Sequence, residues 1–213
     1  MSLAHIRVLR DEGATHIFEL GRQMRDWLDP DAWAAADLDT RIQYAIDAHG
    51  WIRSSFGEPP KPLLFEDLPS GVTGGFDPRT GEVLADPDVL LEGDPLELLK
   101  TLAHENRHDL QDRAVRAARQ QRDETGSPTT DPEVQTWVEA EDTYTVNDHH
   151  QYRYNAMEVD ARAAESALER GFLRRHLELS SDARAPRTVA RTIARSRLPH
   201  RRSMHRPTRE RGG

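Results

Sequence analysis

The sequence predicts an α+β domain, in which a small sheet packs on long helices. Apolar residues recur at helical spacing before residue 57 and again after residue 155, and a hairpin pattern lies between the two regions. The 213 residues are 36% hydrophobic and 6% aromatic, which suffices for one core of modest size. Cysteine is absent, so neither a disulfide framework nor a thiolate metal site can form.

Two helices are predicted in the N-terminal region. Residues 17–28 have an amphipathic pattern that ends at Asp29-Pro30, because proline is poorly accommodated inside a helix. Residues 37–56 carry the second pattern, which Gly57 and the prolines after it stop.

Three strands are predicted next. Residues 62–65 form one strand, and residues 72–76 and 82–85 form a hairpin whose loop ends in glycine. We therefore expect a small mixed or antiparallel sheet directly before the longest helix of the chain.

That helix begins with Asp94 as its N-cap, Pro95 as its first residue and Glu97 in a capping box. Apolar residues at helical spacing carry it to about residue 121. Residues 125–128, Thr-Gly-Ser-Pro, then break it.

The C-terminal half is less regular. Residues 123–135 are predicted to be a polar loop, and residues 136–154 a partly ordered segment that forms a cleft wall. Another helix starts near residue 155 and continues past Gly171. We expect this helix to pack beside the long one.

The long helix carries the motif His-Glu-Asn-Arg-His at residues 104–108. His104 and His108 are four residues apart, so both imidazoles project from one helical face and can bind a single metal ion. Glu105 lies about 100° around the helix from His104, where it can accept a proton from water beside the metal. The alternative is a solvated helix face with two surface histidines. The marked helix start and the flanking apolar stripe favour a zinc site.

A catalytic zinc ion needs a third protein ligand and an open position for water. Glu158 is the preferred candidate, because it lies near the start of the next predicted helix and can reach across to a neighbouring one. A glutamate in a first helical turn can also simply stabilise the helix dipole. The competing ligands are Asp160, Glu165 and the pair His149-His150.

Three segments resemble the HExxH zincin metallopeptidases of gluzincin-like type: residues 76–84, residues 99–111 and residues 154–161. More narrowly, they are similar to the small zincin domains of bacterial polymorphic toxins and phage-associated proteins. The resemblance covers about residues 60–175. It implies a zincin-like fold and a peptide or protein substrate.

The resemblance also implies a strand near residues 83–85 at the edge of the cleft, where a peptide can add by β-augmentation. The chain departs from the family pattern at two positions. Ala156 stands where a proline is often found, and Arg162 stands where many gluzincins have an aspartate. Asp160 is the candidate to take over the supporting role of that aspartate.

Together these features predict a metallopeptidase with one Zn²⁺ per chain and Glu105 as the general base. The donor that stabilises the oxyanion is expected among Tyr152, Tyr154, His149 and His150. The biological setting is left open between a toxin or effector, a phage-associated protease and a housekeeping enzyme.

Residues 184–213 are predicted to be a disordered tail that follows a domain at residues 1–183, whose core spans about residues 35–178. The tail holds ten arginines and one acidic residue, a net charge of +9, whereas residues 1–183 carry −17. The charge of the tail suggests one alternative function, weak binding of nucleic acid or another polyanion. The other alternative is a zinc protein whose HExxH motif binds the metal without catalysis.

No segment has the pattern of a signal peptide or a membrane-spanning helix. The expected location is therefore cytoplasmic, with export by a specialised system as an alternative, and no membrane partner is expected. The oligomeric state is left open.

Overall fold

The computed structural model describes residues 3–91, 94–143 and 155–184. Within these ranges the protein forms seven helices and one three-stranded sheet, so the predicted combination of helices with a small mixed sheet is confirmed. The chain divides into two units after Glu178, and of the second unit the structure describes residues 179–184, which are helical. No helix in the described ranges is both long enough and apolar enough to cross a bilayer.

Among the described residues, three helices precede the strands and four helices follow them. The helices are α1 (Leu3–Trp27), α2 (Pro30–Ala35), α3 (Leu38–Ser55), α4 (Asp88–Leu91), α5 (Pro95–Thr125), α6 (Pro132–Asp142) and α7 (Ala156–Arg184). The strands are β1 (Leu63–Phe65), β2 (Gly74–Asp77) and β3 (Glu82–Ala85).

The sheet has the order β1-β3-β2. β3 pairs in parallel with β1, placing Leu63 opposite Val83, and antiparallel with β2, placing Gly75 opposite Leu84. The predicted hairpin is therefore present, but the expectation that residues 83–85 form the cleft edge is wrong. β1 occupies the side of β3 that the hairpin leaves open, so β3 is the central strand and β2 is an edge strand.

Three helices begin at the same dipeptide, Asp-Pro. Asp29, Asp94 and Asp131 each cap a helix by accepting a backbone N–H with the side chain, and the following proline is the first helical residue. Two of these helix starts were not predicted from the sequence. Pro30 begins α2 rather than only ending α1, and α6 occupies residues assigned to a loop and an irregular segment.

Two predicted helices are longer than their apolar patterns. α1 begins at Leu3 rather than near residue 17, and α5 continues to Thr125. Polar residues continue a helix as long as the backbone can hydrogen-bond, so the apolar stripe marks only the packed part. α5 ends where Gly126 adopts a left-handed φ of 71° and its N–H donates to the carbonyl of Arg122.

The core surrounds α5, which packs against α1, α3, α4, α6 and the strands β2 and β3. Ile17 and Met24 of α1 and Trp33 of α2 are also buried in this core. α1 and α7 approach closely at two glycines. A Cβ on Gly21 would lie 2.2 Å from the carbonyl oxygen of Leu168, so only glycine fits there.

A buried group of charges joins α3 to α5. Arg53, 1% exposed, donates to Asp109 at 2.7 Å, and Arg113 contacts both Asp109 and Glu58. Two positive and two negative side chains share this region, which compensates much of the cost of removing them from water. The group holds the helix that carries residues 104–108 at a fixed position.

Candidate metal centre

Two imidazoles of α5 and one carboxylate of α7 meet at a single point. The Nε2 atoms of His104 and His108 are 3.2 Å apart, and each lies 3.4 Å from an oxygen of Glu158. The donor atoms of these three residues all lie within 4.8 Å of one another. This group could therefore hold a metal ion.

Helix geometry brings the two histidines together. Their four-residue separation places the ring centroids 4.8 Å apart on one face of α5. Glu158 comes from the first turn of α7 and is only 1% exposed. A buried carboxylate is costly unless it is paired, and here both imidazoles and Arg162, 3.5 Å away, contact it.

The three residues line a cleft of about 520 Å³ that also contains Glu105. The other lining residues are Gly74, Gly75, Phe76, Pro78, Asp112, Glu141 and Met157. Burial raises the pKa of Glu105 above that of an ordinary glutamate. The residue predicted to move a proton therefore lies in the same cleft as the three donors.

The second nitrogen of His104 also has a carboxylate partner. Its Nδ1 lies 3.5 Å from an oxygen of Glu165, whose other oxygen is 3.6 Å from the ammonium group of Lys100. A carboxylate on the far nitrogen orients an imidazole that binds a metal through the near one. Glu165, a competing ligand in the sequence analysis, thus contacts His104 on the side away from Glu158 and His108.

Asp160 has different partners from those expected of a ligand. It accepts two hydrogen bonds from Arg107, at 2.7 and 3.0 Å, and one from Gln111 at 2.7 Å. Gln111 in turn contacts Nδ1 of His108. Asp160 therefore lies behind His108, separated from it by Gln111.

Charge and burial work against each other at the three donors. Burial favours neutral His104, but its contacts with Glu158 and Glu165 outweigh burial and raise its pKa to about 9. Burial likewise favours protonated Glu158, but the two histidines outweigh it and lower its pKa. The contacts between these groups thus favour their charged forms, and a metal ion would have to compete with a proton for His104, since imidazole binds metals in its neutral form.

The donor set fits a divalent transition metal. Two imidazole nitrogens and one carboxylate oxygen are the ligand types that such ions take from proteins, and the buried carboxylate supplies one compensating negative charge. Glu165 behind His104 and Gln111 behind His108 give each imidazole a partner for its other nitrogen.

Sequence reasoning proposed His104, Glu105, His108 and Glu158, and the fold brings these four into one cleft. It did not find the supporting residues, which are Arg107, Gln111 and Arg162. The contact between Gln111 and His108 could have been predicted, because the two residues are three apart and so lie on the same helical face. The proposed oxyanion donors His149, His150, Tyr152 and Tyr154, and the tail from residue 185 onward, lie outside the described residues and stay predictions.

No protein-family model, curated protein or solved structure matches this chain.

Proposed function

We propose that this chain is a zinc-dependent metallopeptidase with a zincin-like architecture. His104, His108 and Glu158 would hold the ion, and Glu105 would act as the general base. One observation carries the proposal: a buried carboxylate from α7 meets both imidazoles of the HExxH motif in a cleft that also contains the glutamate of that motif. A role as a toxin, an effector or a phage-associated protease belongs to the same proposal and derives from the family resemblance.

The ligand types favour zinc in a catalytic role. Catalytic zinc sites use three protein ligands of the imidazole and carboxylate kinds and keep one position open, whereas structural sites commonly use four ligands that include thiolates. This chain has no cysteine. When bound, zinc supplies a Lewis acid that polarises a carbonyl group and lowers the pKa of water.

Glu105 is suited to move the proton in peptide hydrolysis. Its carboxylate would take a proton from the attacking water as the water oxygen bonds to the peptide carbonyl carbon. The same carboxyl group would then give the proton to the leaving nitrogen as the C–N bond breaks. The raised pKa of Glu105 supports both steps, because a group that titrates closer to neutral pH both accepts and returns a proton readily.

The edge strand β2 offers a binding surface for an extended peptide. In the sheet as described, β2 has a strand neighbour on one side only, and Gly74, Gly75 and Phe76 of this strand line the cleft. Gly75 has no side chain, and even a Cβ there would meet only Leu84, so a substrate could pair with β2 by main-chain hydrogen bonds. We propose β2, in place of β3, as the strand that aligns the substrate.

The direct test replaces Glu105 by glutamine. Glu105→Gln keeps the size of the side chain but removes the proton acceptor, so we expect unchanged zinc content and a loss of turnover of about 100-fold or more. The control is Glu97→Gln, which alters an exposed glutamate of the same helix. Zinc is measured by elemental analysis.

Turnover is measured on a mixed peptide pool by mass spectrometry. The pool should contain neutral and basic peptides, because the titratable residues lining the cleft are four carboxylic acids and two histidines. Wild-type turnover in Glu105→Gln would reject Glu105 as the base. Full zinc content with no cleavage by the wild-type protein would instead favour a zinc protein without catalysis.

A further inference from the structure

A chain of buried hydrogen bonds runs from the core to His108 through Gln111. The side chain of Gln111 is fully buried. Its Oε1 lies 2.8 Å from Nδ1 of His108, and its Nε2 lies 2.7 Å from an oxygen of Asp160 and 2.9 Å from the carbonyl oxygen of Met157. All polar groups of this amide therefore have partners.

These contacts fix which way round the amide lies. Both partners of Nε2 are oxygen acceptors, so the two N–H groups of the amide must point at them. The reverse orientation would set the amide oxygen against a carboxylate and a carbonyl. Oε1 of Gln111 consequently faces His108 and can only accept a hydrogen bond.

The orientation of Gln111 selects one form of the His108 ring. Because Oε1 accepts, Nδ1 of His108 must donate and therefore carries a hydrogen. In the neutral ring, which is the form that binds a metal, this is the single N–H, so Nε2 then keeps its lone pair. That nitrogen is the one that faces Glu158, at 3.4 Å, and His104, at 3.2 Å.

Asp160 is itself held firmly. Arg107 binds it through two parallel hydrogen bonds of 2.7 and 3.0 Å, a geometry that fixes both groups. The guanidinium carbon of Arg107 lies 5.9 Å from the ring centroid of Phe56 and 5.4 Å from that of Trp137. Arg107 is 6% exposed, so the hydrogen-bond chain starts from a charge anchored between aromatic rings of the core.

We propose that Gln111 and Asp160 are positioning residues that hold His108 with its hydrogen on Nδ1 and present Nε2 to the metal. The inference rests on the proposed metal site, and it adds the means by which one ligand is prepared before the metal arrives. The two histidines are then supported differently, His104 by the carboxylate of Glu165 and His108 by a neutral amide.

The test uses Gln111→Met in the full chain. Methionine has a similar length and shape but can neither orient the ring nor bind Asp160. The matched control is Gln120→Met, which alters an exposed glutamine of α5 that contacts only Glu124 among the described hydrogen bonds. Folding is checked by circular dichroism, and zinc affinity is measured by competition with a chelator.

The tautomer of His108 is measured separately in the metal-free protein. Two-bond ¹H–¹⁵N correlation spectra distinguish a hydrogen on Nδ1 from one on Nε2, with His108→Asn used to assign the signals. We expect the wild type and Gln120→Met to carry the hydrogen on Nδ1. Gln111→Met should show a mixture of both forms and bind zinc about 10- to 100-fold more weakly.

The proposal is overturned if the wild type carries the hydrogen on Nε2. It is also overturned if Gln111→Met folds and leaves both tautomer and affinity unchanged. Should Gln111→Met not fold, Asp160→Asn decides, because asparagine keeps the shape but weakens the hold of Arg107; unchanged tautomer and affinity there would reject the hydrogen-bond chain. A wild type that binds no zinc would refute the proposed function, while the tautomer would still decide the role of Gln111.

Discussion

β2 and α5 approach each other closely at Gly74, and this contact gives a testable prediction. A Cβ added there would lie 2.4 Å from Cγ2 of Thr101, 3.1 Å from Cγ of Glu105 and 3.1 Å from the carbonyl oxygen of Leu84. Carbon atoms in contact are normally about 3.5–4.0 Å apart. In Gly74→Ala, rotation of Thr101 alone would leave the contacts with Glu105 and Leu84 at 3.1 Å, so β2 and α5 must separate, by about 1 Å if Thr101 keeps its rotamer.

The size of the effect follows from this overlap. Overpacking of this kind costs about 1–3 kcal/mol, and at this chain length each kcal/mol lowers Tm by about 2–4 °C. We therefore expect Tm to fall by about 2–12 °C. If β2 and α5 move apart by about 1 Å, turnover should fall about 100-fold, while zinc content stays at one ion per chain because no ligand is touched.

The neighbouring glycine is the control. A Cβ on Gly75 would meet only Cδ1 of Leu84, at 3.9 Å, which is an ordinary contact. Gly75 is not among the glycines with positive φ, so alanine fits its backbone. Gly75→Ala should leave the fold intact and raise the free energy of unfolding by about 0.4–1 kcal/mol, because it restricts the unfolded chain.

Both variants are compared by thermal unfolding, elemental analysis and turnover of the same peptide pool. The opposite signs of the two stability changes are the diagnostic result. If Gly74→Ala is as stable as Gly75→Ala and cleaves peptides at the wild-type rate, then β2 does not pack against α5 beside Glu105 as described, and the proposed substrate strand is wrong.

Three further predictions concern the ligands, the pH dependence and the tail. Glu165→Ala should weaken zinc affinity by about 10- to 100-fold, and Glu158→Ala by more, because only the latter removes a ligand; equal losses in a chelator competition would contradict this assignment. Burial lowers the pKa of His49 from 6.5 to about 4. Protonation of Nδ1 would also place its N–H opposite the side-chain NH₂ group of Asn106, which is a donor too. As the pH falls, the unfolded chain takes up a proton on this histidine before the folded protein does. The free energy of unfolding should therefore begin to fall below about pH 6.5 and be lower by about 3 kcal/mol near pH 4. Urea unfolding at several pH values measures this dependence, and the same loss between pH 6.5 and pH 4 in His49→Asn would refute the assignment to His49. Truncation after Asp182 should keep zinc content and turnover and abolish salt-dependent binding of polyanions, and loss of zinc on truncation would place the domain boundary further along the chain.

Local signals in the sequence predicted the part of the site that lies on one helix. His104 and His108 come together because an α-helix repeats every 3.6 residues, and this geometry needs no other element. The Asp-Pro starts are equally local. Asp94 was recognised as a cap, and the same dipeptide at residues 29 and 131 could have predicted α2 and α6 in the same way.

Local sequence patterns could not predict which strands pair or which helix the sheet contacts. The residues of β3 have the same alternation whether the strand is central or at an edge, so the sequence could not show that β1 pairs in parallel with it. Gly74 lies inside a predicted strand, and nothing local indicated that its lack of a side chain serves the close approach of β2 to α5.

The candidate third ligand shows the division between sequence and fold most clearly. The sequence by itself determined the helix that carries the two histidines, its start and their common face, because these depend on spacing along one element. Glu158 and Asp160 share the first turns of α7, and Glu165 lies about two turns after Glu158. The place of Glu158 near the helix start favoured it, but local spacing does not decide which of these carboxylates reaches the histidines. Only the packing of α7 on α5 brings Glu158 into contact with both imidazoles. The same packing places Glu165 beside Nδ1 of His104 and places Asp160 within hydrogen-bond distance of Arg107. A side chain's partner across two helices is decided by how the helices cross, and that geometry is set by the whole core.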